Sequence, residues 1–127
     1  MENDKVNLQK LLSQLSKEDY CYLTTKGHKT GNPHEIEIWF GVDGTSIYLL
    51  SGGGDKSHWV KNLLADPNVT VRIAKQTFTG LASVVNEEKE GMMARHMLAG
   101  KYQGWKVGQE MSEWGRTALV VGIELTK

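Results

Sequence analysis

The sequence has one cysteine, no excess of charge of either sign and no long apolar run. With Cys21 alone, an internal disulfide framework is excluded, and a single thiol argues against a cysteine-cluster metal site, so no metal is expected. Fifteen basic residues balance fifteen acidic ones, which argues against a general nucleic-acid or membrane-surface binder. Any anion site must then be local. No apolar stretch approaches the ~18 residues of a membrane span. The opening Met1-Glu2-Asn3-Asp4 lacks the basic start and apolar core of a signal peptide, so an unexported, cytoplasmic protein is expected. The 127 residues suit one domain, 1–127, and contain no repeat or low-complexity segment.

What is present is periodicity. Leu8, Leu11, Leu12 and Leu15 recur at helical spacing and predict an amphipathic helix over about 4–16, within an N-terminal segment 1–18. Tyr20 to Thr25 has strand composition, and Gly27, Gly31, Asn32 and Pro33 mark a loop. From Glu35 to Val42 the chain alternates, with Ile36, Ile38, Phe40 and Val42 on one face and Glu35, Glu37 and Trp39 on the other. This predicts one strand, turned at Asp43-Gly44 to pair with Ile47 to Ser51. A helix carrying Trp59, Val60, Leu63 and Leu64 follows and closes at Asp66-Pro67.

Val69 to Ile73 and Phe78 to Val85 read as a hairpin about Lys75-Gln76. Asn86 is the expected cap of a third helix, with Glu87, Glu88 and Glu90 in its first turn and Met93, Met97 and Leu98 on its buried side. Gly100 is its expected end. A last strand runs from about Arg116 through Leu119, Val121, Ile123 and Leu125. Six strands joined by hairpin-length links, with three peripheral helices, predict a mainly β fold closed as an antiparallel barrel.

Two segments carry candidate chemistry. In Ser51-Gly52-Gly53-Gly54-Asp55-Lys56-Ser57, glycines before a helix start let backbone N–H groups converge on an anion, while Lys56 adds a charge and Ser57 a hydroxyl, with His58 next to assist. The same turn can also be a plain connection capped by Asp55 or Ser57. Lys26, His28, Lys29 and His34 form a second basic cluster, for which a solvated basic turn is the alternative reading. Pairing of the Trp39 strand with the strand ending at Ser51 would bring the two clusters together. Trp39 stands off the apolar face of its strand and needs cover, from a partner subunit, the N-terminal helix or a flat ligand. Trp59 and Asn62, three apart on the helix, suit either packing or ligand contact.

The run Tyr22-Leu23-Thr24-Thr25-x-Gly27-His28-Lys29-Thr30-Gly31-x-Pro33-His34, then Leu50 to Gly54, then Trp59-x-x-Asn62-Leu63-x-Ala65-x-Pro67-x-Val69-x-Val71, resembles the deazaflavin-dependent nitroreductase and quinone-reductase family. That family is a branch of the split-barrel flavin reductases that include pyridoxamine phosphate oxidase-like proteins. The resemblance implies a six-stranded antiparallel split barrel, a homodimer, and the deazaflavin F420, or alternatively FMN, in a groove beside the barrel. It assigns Lys29 and Thr30, flanked by His28 and His34, to the loop at the cofactor phosphate. Ser51 to Gly54 fall along the cofactor, with Lys56 and Ser57 following, Trp59 and Asn62 close over it, and Trp39 lies beside its ring. His28 and His34 stand where relatives often carry arginine, and histidine is only partly charged at neutral pH. The tyrosine-rich C-terminal helix of the nitroreductase branch is reduced to Tyr102 and Trp105.

The activity implied is hydride transfer from reduced deazaflavin to a small redox acceptor such as a quinone or nitro compound, with no catalytic side chain named. Tyr20, Tyr22, Tyr102 and Trp105, together with Trp114, are the candidates for the acceptor side, and ordinary barrel or helix packing is the alternative for each. An FMN-dependent reductase or oxidase, and a non-catalytic barrel holding flavin, haem or lipid, are the alternatives.

Overall fold

The computed structural model describes residues 2–126. Helix α1 spans Glu2–Leu15, and then come strands β1 (Cys21–Lys26), β2 (Pro33–Ile38), β3 (Gly41–Asp43) and β4 (Ser46–Ser51). A 3-10 turn at Gly54–Lys56 leads into α2 (His58–Ala65), followed by β5 (Asn68–Ile73), β6 (Gln76–Val84), α3 (Glu88–Gln103), α4 (Glu113–Thr117) and β7 (Leu119–Leu125). All pairings are antiparallel, in the order β2-β1-β5-β6-β7-β4-β3. The two edge strands, β2 and β3, are separated in the chain by Trp39 and Phe40 alone. Three residue steps reach at most ~10 Å, so the sheet must curl until its edges nearly meet. This is the mainly β split barrel expected.

The predicted strand from Glu35 to Val42 is two strands, which raises the count from six to seven. β2 pairs with β1 along its whole length, from Cys21↔Ile38 to Lys26↔Pro33, whereas β3 pairs with β4 from Gly41↔Tyr48 to Asp43↔Ser46. The break falls at Phe40, whose ring is fully buried. Its freed N–H donates to Tyr102 Oη at 3.0 Å, and its carbonyl accepts from Lys101 Nζ at 3.1 Å. Backbone groups lost from the ladder therefore find side-chain partners. As a result β4 lies beside β7 and not beside β2, so strand pairing does not bring the two basic clusters together.

Other boundaries move for local reasons. Glu87, not Asn86, caps α3: its carboxylate accepts the N–H groups of Lys89 at 2.5 Å and Glu90 at 3.2 Å. The helix runs past Gly100 to Gln103, because the left-handed residue that ends it is Gly104 at φ +66°. The β5–β6 turn is Ala74-Lys75, since Ile73 pairs with Gln76. Helix α4 was not expected, and it delays β7 to Leu119; Ser112 starts it by accepting the Gly115 N–H at 3.1 Å.

The core has two layers. Inside the curl, Leu23, Phe40, Ile47, Leu49 and Val71 pack with Leu12 from α1 and with Val60 and Leu63 from α2. Outside it, Tyr48, Leu50 and Val120 pack against Ala94 and Leu98 of α3. Strand β4 is thus covered on both faces, which accounts for its unbroken apolar run Ile47 to Leu50. Each such side chain contributes about 1.5–3 kcal/mol on burial. Gly41 brings β3 close to α3, where a Cβ would sit 2.7 Å from Cε at the flexible end of Met97. With Val60 and Leu63 anchored inside, α2 is held over the Thr25 end of β1.

Candidate functional site

Alternation along β1 turns Cys21, Leu23 and Thr25 inward. A hydroxyl in that position needs a partner. Thr25 Oγ1 accepts from Asn62 Nδ2 at 2.9 Å, and Asn62, on α2, is itself only 3% exposed. The Asn62 oxygen accepts the backbone N–H of His28 at 2.9 Å and lies 2.5 Å from His28 Nδ1. One amide therefore ties strand, loop and helix together.

The loop is closed by its own backbone: Gly27 N–H donates to Asn32 O at 2.7 Å and Gly31 N–H to Gly27 O at 2.8 Å. A Cβ at Gly27 would lie 2.7 Å from His34 Nε2 and 2.9 Å from Thr30 Oγ1, so glycine allows the loop to fold against His34. Between this loop and α2 opens a cleft of about 380 Å³, within the ~300–1,000 Å³ of small-molecule sites. Ile36 and Trp59 supply apolar lining, and Lys29, His28, His34 and His58 supply the basic side. The His28 and His58 rings are stacked at 6.1 Å. Glu35 also lines the cleft, but its carboxylate is paired with Arg72 at 3.6 Å. Lys29 has no salt-bridge partner among the described residues.

His28, Lys29, Thr30, His34, Trp59 and Asn62 are thus brought into one cleft, through α2 and not through strand pairing. The glycine-rich turn lies outside its lining. Ser51 Oγ donates to Gly54 O at 2.9 Å and meets Ser57 Oγ at 2.9 Å. The Ser57 hydroxyl therefore faces Ser51, and neither it nor Asp55 caps a helix start with its side chain. Gly54 has φ +62°, and a Cβ at Gly53 would fall 2.6 Å from Ser57 Oγ, so two of the three glycines are demanded by the turn itself. Gly52 is exposed beside Trp114, and Lys56 is exposed. The turn meets the cleft only where Ser57 passes into His58.

Trp39 is covered from within the chain. Its ring stacks on Tyr102 at 4.4 Å and 6°, and meets Trp114 edge-on at 5.4 Å. Tyr102 Oη also donates to Asp19 O at 2.7 Å, and burial pushes its pKa up to about 12. Tyr22 Oη donates to a Glu37 carboxylate oxygen at 2.7 Å beneath the Arg72 guanidinium, and that hydrogen bond is the main cause of its raised pKa. Trp105 stacks on His96 at 4.5 Å, and Tyr20 is 44% exposed. None of the five acceptor-side candidates, Tyr20, Tyr22, Tyr102, Trp105 and Trp114, lines the cleft at Asn62.

Thr25, Gly27, Glu35 and Ile36 line the cleft without having been singled out as site residues, and His58, expected to assist Lys56 and Ser57 at the glycine-rich turn, lines it as well. Two of them carried a signal. Thr25 is the polar member of an inward-alternating strand face, and His58 lies four residues before Asn62 on one helix face.

A family model described as F420H(2)-dependent quinone reductase matches residues 3–121. The chain belongs to that family. F420 is accordingly its cofactor, and it is an F420-dependent oxidoreductase by family. Solved structures share the fold at low identity. An F420-H2-dependent reductase is 21% identical with a TM-score of 0.64, over 84% of this chain and 94% of that one. A candidate pyridoxamine 5'-phosphate oxidase from Listeria innocua is 20% identical with a TM-score of 0.70, over 95% and 94%. The haem storage protein HutZ from Vibrio cholerae is 14% identical with a TM-score of 0.70, over 94% and 91%.

The residues present fit the family's cofactor. The apolar surfaces of Ile36 and Trp59 suit a flat ring, and the Lys29 ammonium and three imidazoles suit an anionic tail. Among the described residues no cluster of three or more His, Cys, Asp or Glu side chains is placed to hold a metal ion, and no helix is long and apolar enough to cross a membrane.

Proposed function

We propose that this protein binds F420 in the cleft between the Gly27–Asn32 loop and α2, and transfers a hydride from the reduced cofactor to a small acceptor such as a quinone or nitro compound. The observation that carries the reading is the Asn62 brace, which ties a basic loop to the helix whose Trp59 forms part of an apolar wall. When bound, the cofactor supplies the hydride chemistry. The chain contributes position: Lys29 and the imidazoles hold the anionic part, and Ile36 and Trp59 exclude water from one side of the ring. No side chain is assigned as a proton donor to the acceptor. Family resemblance extends the reading to a cytoplasmic homodimer, consistent with apolar side chains left open at Leu64 and Leu81.

The test is anaerobic mixing of purified protein with F420H2 and menadione or a nitroimidazole. Recovery of the oxidised-cofactor absorbance at a rate proportional to protein is expected. Tighter binding of FMN than of F420 would overturn the cofactor assignment at this cleft, and tight binding of F420H2 without its oxidation would make the protein a carrier. Sedimentation at micromolar concentration checks the dimer.

A further inference from the structure

Asn62 lines the cleft, and its amide oxygen is directed at His28. The His28 backbone N–H can only donate, so the atom it meets at 2.9 Å is the amide oxygen; a reversed amide would set NH2 against N–H. That oxygen cannot donate in turn, so its 2.5 Å contact to Nδ1 requires a hydrogen on Nδ1. The other amide group is committed to Thr25 at 2.9 Å. Nε2 is therefore the nitrogen that carries a lone pair in the neutral ring, and it has no hydrogen-bond partner among the described residues.

We propose that Asn62 is a positioning residue that holds His28 as the Nδ1–H tautomer, so that Nε2 takes up a solvent proton when an anionic group of the cofactor docks at the cleft. This rests on the reading of the cleft as the F420 site. A proton passes from solvent to Nε2 and no other bond changes. The imidazolium keeps Nδ1–H on Asn62 and presents Nε2–H to the anion as a charge-assisted donor. An arginine in this place would bind the same anion without proton uptake. The charged and titratable groups around His28 are His58 from α2, His34 and Glu35 from β2, Lys29 within the loop, and Lys26 and Asp66 on the loop's other side. Glu35 is engaged by Arg72, so an anion set among Lys29, His34 and His58 favours the charged ring.

Proton–nitrogen correlation NMR of the imidazoles reads the tautomer in the wild-type protein with no cofactor, His28→Gln providing the assignment. A protonated Nδ1 and a lone pair on Nε2 are expected for His28. Asn62→Asp keeps that state, whereas Asn62→Leu shifts the population toward Nε2–H. A wild-type ring protonated on Nε2 alone overturns the proposal, and that measurement stands even if Asn62→Leu fails to fold.

Calorimetry of F420 binding in two buffers of different ionisation enthalpy is the second arm. Wild type takes up more protons than His28→Gln, and its affinity gains about tenfold more than the variant's between about pH 8 and about pH 6. Equal proton uptake by the two proteins overturns the proposal. Failure of F420 to bind either protein, with the tautomer as expected, would overturn the cofactor reading and the proton uptake with it, leaving the Asn62–His28 geometry in place.

Discussion

Tyr102 repairs the backbone at Phe40: its hydroxyl accepts the Phe40 N–H at 3.0 Å and hands its own proton to Asp19 O at 2.7 Å. The contact joins α3 to the point where β2 gives way to β3. Lys101 completes it from the next position, donating to Phe40 O at 3.1 Å with its ammonium 3.9 Å from the Phe40 ring centre. Desolvation there lowers the lysine pKa. The tyrosine expected to line an acceptor pocket is therefore built into the closure of the barrel.

Tyr102→Phe keeps the ring stacked on Trp39 and deletes the hydroxyl. The Phe40 N–H then loses its partner, and a loss of about 1–3 kcal/mol in unfolding free energy is expected by denaturant titration. F420 affinity should change little, because Tyr102 does not line the cleft. A variant of unchanged stability but altered acceptor turnover would return Tyr102 to the acceptor side.

The two lysines assigned to the cofactor phosphate should separate. Lys29 lines the cleft and Lys56 does not. Lys29→Ala is expected to weaken F420 binding by about 1 kcal/mol, at the low end for a charged contact because the side chain is exposed. Lys56→Ala should cost less, and fluorescence titration of both variants gives the comparison. The reverse order would put the anion at the glycine-rich turn.

Glu124 on β7 accepts Ser46 Oγ at 2.6 Å and Thr45 Oγ1 at 2.5 Å, and these bonds, Ser46 first, hold its pKa below the ordinary 4.5. A carboxylate depressed on folding contributes stability that is fully present above its unfolded value and lost as pH falls through the folded one. Melting temperature should therefore drop below about pH 4.5, and Glu124→Gln should flatten that drop while lowering stability at neutral pH. Identical acid profiles for the two proteins would count against the clamp.

Ala74, in the β5–β6 turn, has φ +54°, a conformation that L side chains adopt at a cost. Ala74→Gly relieves it. The net gain, after the greater freedom of the unfolded glycine, is roughly 0.5–1 kcal/mol. A rise of about 2–5 °C in melting temperature is expected for a chain of this size.

Period and turn chemistry were enough to determine most elements. Alternation placed β1 and β4 through β7, leucine spacing placed α1, and the glycine-rich motifs pointed to one family and its cofactor, because each of these signals is local. What only tertiary structure decided is where the chain stops obeying its own pattern. Glu35 to Val42 alternates as one strand, yet the curl needs two edges there, and Tyr102 and Lys101, some sixty positions later, supply the partners that make the break stable. The same curl set β4 beside β7, so the basic loop met α2 through a single buried amide and not through a neighbouring strand. Asn62 was legible as a site residue, but its work on His28 and Thr25 was not, because a hydrogen bond across thirty-four positions leaves no period in the sequence.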